Sequence, residues 1–197
     1  MVLKPVDRNA SRNFKITVHP ATIEDTKEIS RILARSFYRF QGLASWMYPL
    51  LQFTISEDLR FRLRSHSPLY CCLVAKSSQR HSDLDSEDLV VATVEIALRS
   101  NFWTGDRTFP YISNLAVAEE YRRLGIGSQL LNKCEQIAGD WGYHETQLHV
   151  LDSNHSAKQL YSNYGYQIAR VEANWGNLWF DYSPRLLLKK QFKPEKF

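Results

Sequence analysis

Residues 115–139 constrain the fold more than any other stretch. Leu115-Ala116-Val117-Ala118 is the apolar end of a β-rich run, and Tyr121-Arg122-Arg123-Leu124-Gly125-Ile126-Gly127-Ser128 is a basic turn with two glycines. Ile126, Leu130, Leu131, Cys134, Ile137, Ala138 and Trp141 then fall on one face at helical spacing. A strand running through such a turn into an amphipathic helix is a building unit of α/β folds. The helix start presents N–H groups without intrahelical partners at the positive end of its dipole, and the glycines let an anion approach the backbone. The segment therefore reads as an anion site. The dinucleotide signature would need glycine where Leu130 stands, and the P-loop would need Gly-Lys-Ser/Thr. Taken alone, the glycine pair serves equally well as a tight turn.

The rest of the chain fits a globular protein: 197 residues, 44% hydrophobic and 23% charged, is one domain with short extensions. The net charge of +4 is unevenly placed. Lys4, Arg8, Arg12 and Lys15 face only Asp7 in the first twenty residues, and Lys189, Lys190, Lys193 and Lys196 face only Glu195 in the last twelve. The body between them is slightly acidic, which argues against a nucleic-acid partner and suits an incoming amine. Residues 1–13 and 191–197 read as basic tails around a domain at 14–190. Three cysteines, two of them the adjacent Cys71 and Cys72, make a disulfide framework unattractive and a reducing compartment the natural setting. No apolar run approaches the roughly 18 to 20 residues needed to cross a bilayer, so no membrane partner is expected.

Element signals alternate along the chain. Phe14 to Val18 has strand alternation; Thr22 is a candidate cap for a helix carrying Ile29, Ile32, Leu33, Ser36, Phe37 and Phe40 on one face. Trp46-Met47-Tyr48-Pro49-Leu50-Leu51 reads as an apolar connection, and Ser56 to Ser65 as a second helix capped by Ser56. Strands are expected at 69–75, 89–98, 109–118, 145–151, 166–172 and 178–188, with a mobile hairpin loop at 77–88 and a short helix at 154–164.

Arg122-x-x-Gly125-x-Gly127 opening a helix, followed one strand later by Asn154-x-x-Ala157-x-x-Leu160-Tyr161-x-x-x-Gly165-Tyr166, resembles the paired signatures of the GNAT superfamily of acetyl-CoA-dependent N-acetyltransferases. The resemblance implies an α/β fold with a mixed central sheet of about seven strands, splayed between the fourth and fifth and flanked by about four helices. It implies acetyl-CoA as cosubstrate and no metal. The turn formed by Arg122, Arg123, Leu124, Gly125, Ile126, Gly127 and Ser128 would wrap the coenzyme pyrophosphate. Leu115, Ala116 and Val117 would give backbone hydrogen bonds to the pantetheine arm and thioester carbonyl. Asn154 would bond the pantetheine side with His155 and Ser156 nearby, and Tyr161 would stand near the sulfur as general acid. A Tyr at that helical position also serves as core. Trp46 to Leu51, Glu57-Asp58-Leu59-Arg60-x-Arg62-Leu63 and Leu148-His149-Val150-Leu151 look like the plastid and cyanobacterial members, which are similar to enzymes acetylating protein N-termini and lysines.

Acetyl transfer by direct attack needs a neutral amine, an oxyanion donor, an acceptor for the amine proton and a donor for the thiolate. No G-x-S-x-G elbow offers a covalent alternative, and His144-Glu145 lacks the second histidine of a zinc motif because Leu148 stands there. His149 falls on the opposite strand face from Leu148 and Val150, and its imidazole suits a base at neutral pH. Tyr111 shares a face with Ser113, Leu115 and Val117. Some protein N-terminal acetyltransferases have a Tyr and a His at these positions and use the pair with an ordered water, so the resemblance makes Tyr111 and His149 catalytic candidates. Glu95 is an alternative base or amine anchor, or a carboxylate on a solvated face. The expected activity is acetylation of a peptide or protein amine, at the N-terminus and also at lysine. A small-molecule amine acetyltransferase, with Trp46, Tyr48 and Trp103 lining a pocket, and a non-catalytic acyl-CoA sensor are the alternatives. A monomer or homodimer in a bacterial cytoplasm, or a trimmed plastid protein in the stroma, fits these features.

Overall fold

The computed structural model describes residues 14–37, 48–65, 67–79, 88–100, 108–172 and 183–192. Among these residues, seven strands and four α-helices follow one another as β1 (Phe14–Pro20), α1 (Thr26–Phe37), α2 (Tyr48–Arg64), β2 (Tyr70–Gln79), β3 (Asp88–Ser100), β4 (Thr108–Val117), α3 (Ile126–Asp140), β5 (Glu145–Leu151), α4 (His155–Asn163), β6 (Gln167–Glu172) and β7 (Arg185–Gln191). The strands form one mixed sheet in the order β1-β2-β3-β4-β5-β7-β6. The β4–β5 pairing is parallel, and its described ladder spans two positions, Tyr111 against Gln147 and Ile112 against Leu148. The seven-stranded α/β sheet expected from the sequence is thus present. Among the described residues, no helix is long and apolar enough to cross a membrane.

The chain divides into two compact units, Met1–Glu95 with Asn114–Leu130, and Ile96–Ser113 with Leu131–Phe197. In the first, Ile29, Ile32 and Leu33 of α1, Leu59 of α2, Cys72, Val74 and Val90 of β2 and β3, and Ala116 of β4 form one buried cluster. Truncating a fully buried leucine such as Leu59 to alanine costs about 2–5 kcal/mol. The helical stripe of α1 is as expected except at its ends: Phe37 is half exposed and Phe40 lies outside the described residues. The helix also starts at Thr26, not after Thr22. The Asp25 carboxylate takes the Thr22 N–H at 2.8 Å and the Thr22 hydroxyl at 3.0 Å, so residues 22–25 close a turn ahead of the helix. Lys76 of β2 bonds the other Asp25 oxygen at 2.8 Å. Burial raises the Asp25 pKa, and the bonds from Lys76 and Thr22 outweigh it, leaving the carboxyl below its ordinary value.

Helix α2 begins eight residues before the expected cap. Pro49 sits in the first turn, where its missing N–H costs no helical bond, and Ser56 is a buried mid-helix residue. Strand β2 extends through Ser77 and Ser78, shortening the expected hairpin loop, of which 80–87 lies outside the described residues. Both tails up to residue 13 and from 193, together with Trp46, Met47, Phe102 and Trp103, also lie outside them.

In the second unit, β5 pairs antiparallel with β7, and β7 with β6. Strand β7 begins at Arg185 and runs to Gln191, further than expected. Thr146, Leu148, Val150, Leu186 and Leu188 share the buried face of this three-stranded part, as the pairing of Leu148 with Leu188 and Val150 with Leu186 requires. None of Cys71, Cys72 and Cys134 is in a disulfide.

Candidate active site

The turn that opens α3 has the geometry of an anion cradle. A 3₁₀ turn, Glu119–Tyr121, ends β4, and Arg122 folds back so that its Nε donates to the Val117 carbonyl at 3.1 Å. Arg123 (φ 66°) and Gly125 (φ 79°) both take left-handed backbone conformations, which turn successive N–H groups outward. A Cβ on Gly125 would meet nothing within 4 Å, so open space lies over the backbone there. Gln129 N–H is the first to bond back, to the Gly125 carbonyl at 3.1 Å, leaving the N–H groups of Ile126, Gly127 and Ser128 ahead of the helical ladder. Arg122, Arg123 and Leu124 are exposed at the rim, while Ile126 is buried and anchors the helix start. These features fit the phosphates of a coenzyme. Leu115, Ala116 and Val117 lead into the turn within the same unit, Ala116 contributing to its core.

In the second unit, the register brings two candidates together. Tyr111 lies opposite Gln147, and His149 is two residues further along the same face of β5. The Tyr111 hydroxyl is 2.8 Å from His149 Nδ1, a direct hydrogen bond. His149 Nε2 is 3.1 Å from Glu172 Oε2, and Arg170 bonds the other Glu172 oxygen. The Arg99 guanidinium lies 3.9 Å from the centre of the Tyr111 ring.

Charge and burial set the protonation states. Burial, helped by the Arg185 charge, lowers the His149 pKa, and Glu172 offsets part of that, so the imidazole is neutral at pH 7. Burial raises the Tyr111 pKa against the opposing charges of Arg99 and Arg185, so the phenol is protonated. Burial also pushes Glu172 up but is outweighed by Arg170 and His149, and the carboxylate stays ionised. The slight acidity of the body as a whole does not extend here: the described charges acting on the pair are Arg99, Arg170, Arg185 and Glu172.

The remaining candidates are placed differently. Glu95 is 1% exposed and its carboxylate is fully engaged: Oε1 accepts from Asn114 Nδ2 at 2.7 Å, and Oε2 from the Tyr70 hydroxyl at 3.0 Å and from Arg62. This closed anchor differs from the accessible base or amine anchor that its strand position allowed. Asn114 holds it from a left-handed residue (φ 54°) in β4. Tyr161 is buried on α4, edge to face with Tyr166 at 5.8 Å, and burial keeps its phenol protonated far above the ordinary range. Asn154 caps α4, its side-chain oxygen accepting the Ala157 N–H at 3.1 Å, while His155 and Ser156 are exposed in the first turn. The capping leaves Asn154 its amide N–H groups for any further bond. Arg62, Tyr70, Arg99, Asn114, Glu172 and Arg185 were not among the candidates; their roles depend on contacts between distant elements that no local pattern encodes. Among the described residues, no cluster of His, Cys, Asp and Glu could hold a metal.

A mixed seven-stranded sheet with a parallel fourth and fifth strand, and a basic glycine turn carrying the fourth strand into a helix, defines an acetyl-CoA-dependent N-acetyltransferase fold. The family model described as Acetyltransferase (GNAT) family matches residues 28–166, and the chain belongs to that family. It is 26% identical over 176 residues to GCN5-related N-acetyltransferase 10, chloroplastic, of Arabidopsis thaliana, covering 86% of this chain and 68% of that protein. It is 30% identical over 131 residues to the thialysine N-epsilon-acetyltransferase of Sus scrofa, covering 66% of this chain and 75% of that one. The fold matches the structure of yncA, a putative acetyltransferase from Salmonella typhimurium with acetyl-CoA, at a TM-score of 0.66 and 15% identity, covering 92% and 96% of the two chains. The chain is an N-acetyltransferase with acetyl-CoA as its acetyl donor.

Proposed function

We propose that the acceptor is the α-amine of a peptide or protein, with lysine side chains as secondary acceptors, and that Tyr111 and His149 together take the amine proton. The observation that carries this reading is the 2.8 Å bond from the Tyr111 hydroxyl to His149 Nδ1. The amine nitrogen attacks the thioester carbonyl carbon, forming the C–N bond. As it does so, an amine proton passes to the Tyr111 oxygen while the Tyr111 proton passes to His149 Nδ1. The C–S bond then breaks and the coenzyme thiolate takes a proton from Tyr161, whose phenol is kept protonated beforehand by burial and which regains a proton from solvent as the products leave. The Arg122–Ser128 turn binds the pyrophosphate, Leu115 to Val117 bond the pantetheine arm through the backbone, and Asn154 adds an amide donor. A peptide α-amine with a reference pKa of about 8 is deprotonated far more readily than a lysine at about 10.4, which favours N-termini at neutral pH.

A second reading, a small-molecule amine as acceptor, is favoured by the similarity to a thialysine N-epsilon-acetyltransferase. Incubating the protein with acetyl-CoA, a peptide library and free small amines, then locating the acetyl group by mass spectrometry, separates the two. Acetylated peptide N-termini support the proposal; turnover of free amines with no peptide product overturns it. The plastid-type resemblance and the chloroplastic relative support a plastid as the setting.

A further inference from the structure

His149 is bonded through both ring nitrogens, and the two partners are not equivalent. A carboxylate can only accept hydrogen bonds, so the 3.1 Å contact with Glu172 Oε2 requires the proton on Nε2. In the neutral ring Nδ1 then carries the lone pair, and the 2.8 Å contact runs from the Tyr111 hydroxyl to it. We propose that Glu172 is a positioning residue for His149, fixing the Nε2–H tautomer so that Nδ1 is the nitrogen that takes the Tyr111 proton. This rests on the proton-acceptor reading above and names the group that orients it.

The fold builds this contact with a β-bulge. At the start of β6, Gln167 pairs with Lys189 and Ile168 with Leu188; after a register shift, Arg170 pairs with Leu187 and Glu172 with Arg185. His149 also pairs with Leu187, so Arg170, Leu187 and His149 form one row on one face of the sheet. Without the register shift, Arg170 would lie opposite Leu186 and Glu172 would turn to the other face, because a one-residue slip inverts every side chain. The bulge therefore delivers Glu172 to the face that carries His149. Arg170 occupies the second carboxylate oxygen, which keeps the group ionised and oriented. When His149 becomes an imidazolium it faces the charges of Arg170 and Arg185, with Arg99 behind Tyr111; Glu172 is the one anion among the described charges acting on it.

The test is nitrogen NMR of His149 in the full chain, together with steady-state kinetics. The wild-type ring should show a pyrrole-type Nε2 and a pyridine-type Nδ1 in its neutral form. In Glu172→Ala the tautomers should mix, the imidazole pKa should fall by about one unit, and kcat should fall about tenfold or more with the KM for acetyl-CoA unchanged. A wild-type ring protonated at Nδ1, or an unchanged tautomer and pKa in Glu172→Ala, would overturn the proposal. Loss of activity in Tyr111 and His149 variants alongside an unbiased tautomer removes this inference alone. A fixed tautomer with fully active His149 variants supports Glu172 as the positioning group and removes the proton-acceptor reading instead.

Discussion

The Tyr111 hydroxyl and His149 Nδ1 are 2.8 Å apart, bonded directly across the β4–β5 pairing. Their rings lie 5.7 Å apart and are tilted by 49°, so the contact is a hydrogen bond between ring substituents and not a stack. On the proposed mechanism, the phenol oxygen is the atom presented to the acceptor amine and the imidazole is the reservoir behind it.

Activity should follow the protonation of His149. The imidazole must be neutral to accept a proton, and burial with Arg185 holds its pKa below the ordinary 6.5. Hence kcat/KM should rise with pH through an acid limb centred below 6.5. An acid limb centred above 6.5, measured with a peptide whose own amine titration has been subtracted, would contradict this.

Substituting Gly125 by valine should act on the coenzyme. A β-branched residue at φ 79° is strained by about 1–2 kcal/mol, and its side chain enters the open space above the turn. The KM for acetyl-CoA should rise about tenfold or more, with a smaller change in kcat. Calorimetric titration with coenzyme A checks it; unchanged affinity would remove the turn from the binding site.

Glu95 separates a structural from a catalytic carboxylate. Glu95→Gln removes the charge facing Arg62, which keeps Asp58 as a partner, and one acceptor shared by Arg62 and Tyr70, and should destabilise the protein by about 1–3 kcal/mol. Thermal unfolding measures this. A variant as stable as the wild type but inactive would return Glu95 to the list of candidate bases.

How much of this was legible in the sequence differs between elements for physical reasons. The turn and helix at 121–140 announce themselves because glycines, charges and an apolar stripe are local. The start of α2 was misplaced because Pro49 breaks a helix interior but opens one equally well. Tyr111 and His149 were recognisable as strand positions, and as a pair through the family resemblance. Glu172 was not: it reaches His149 only after two strand pairings and a bulge, none of which leaves a spacing signal. Glu95 looked accessible because strand alternation says which face a side chain takes, not that Arg62 from α2 and Asn114 from β4 meet it there.

Charge around the pair should show in peptide preference. Arg99 and Arg185 are exposed cations acting on Tyr111, so acceptor peptides with Asp or Glu just after the first residue should be favoured over those with Lys. The ratio of their kcat/KM values should shrink as salt is raised, because exposed charges are screened over about 10 Å at 0.1 M. A preference for basic peptides, or a ratio indifferent to salt, would contradict it.

The central claim is that Tyr111 and His149 act as one proton acceptor, and a double-mutant cycle on peptide acetylation tests it most directly. Tyr111→Phe and His149→Ala should each lower kcat by about 10²- to 10⁴-fold. The double variant should be no slower than the worse of the two, because each substitution already breaks the path. Losses that multiply, or either single variant within tenfold of the wild type, would show that the two residues do not share the task.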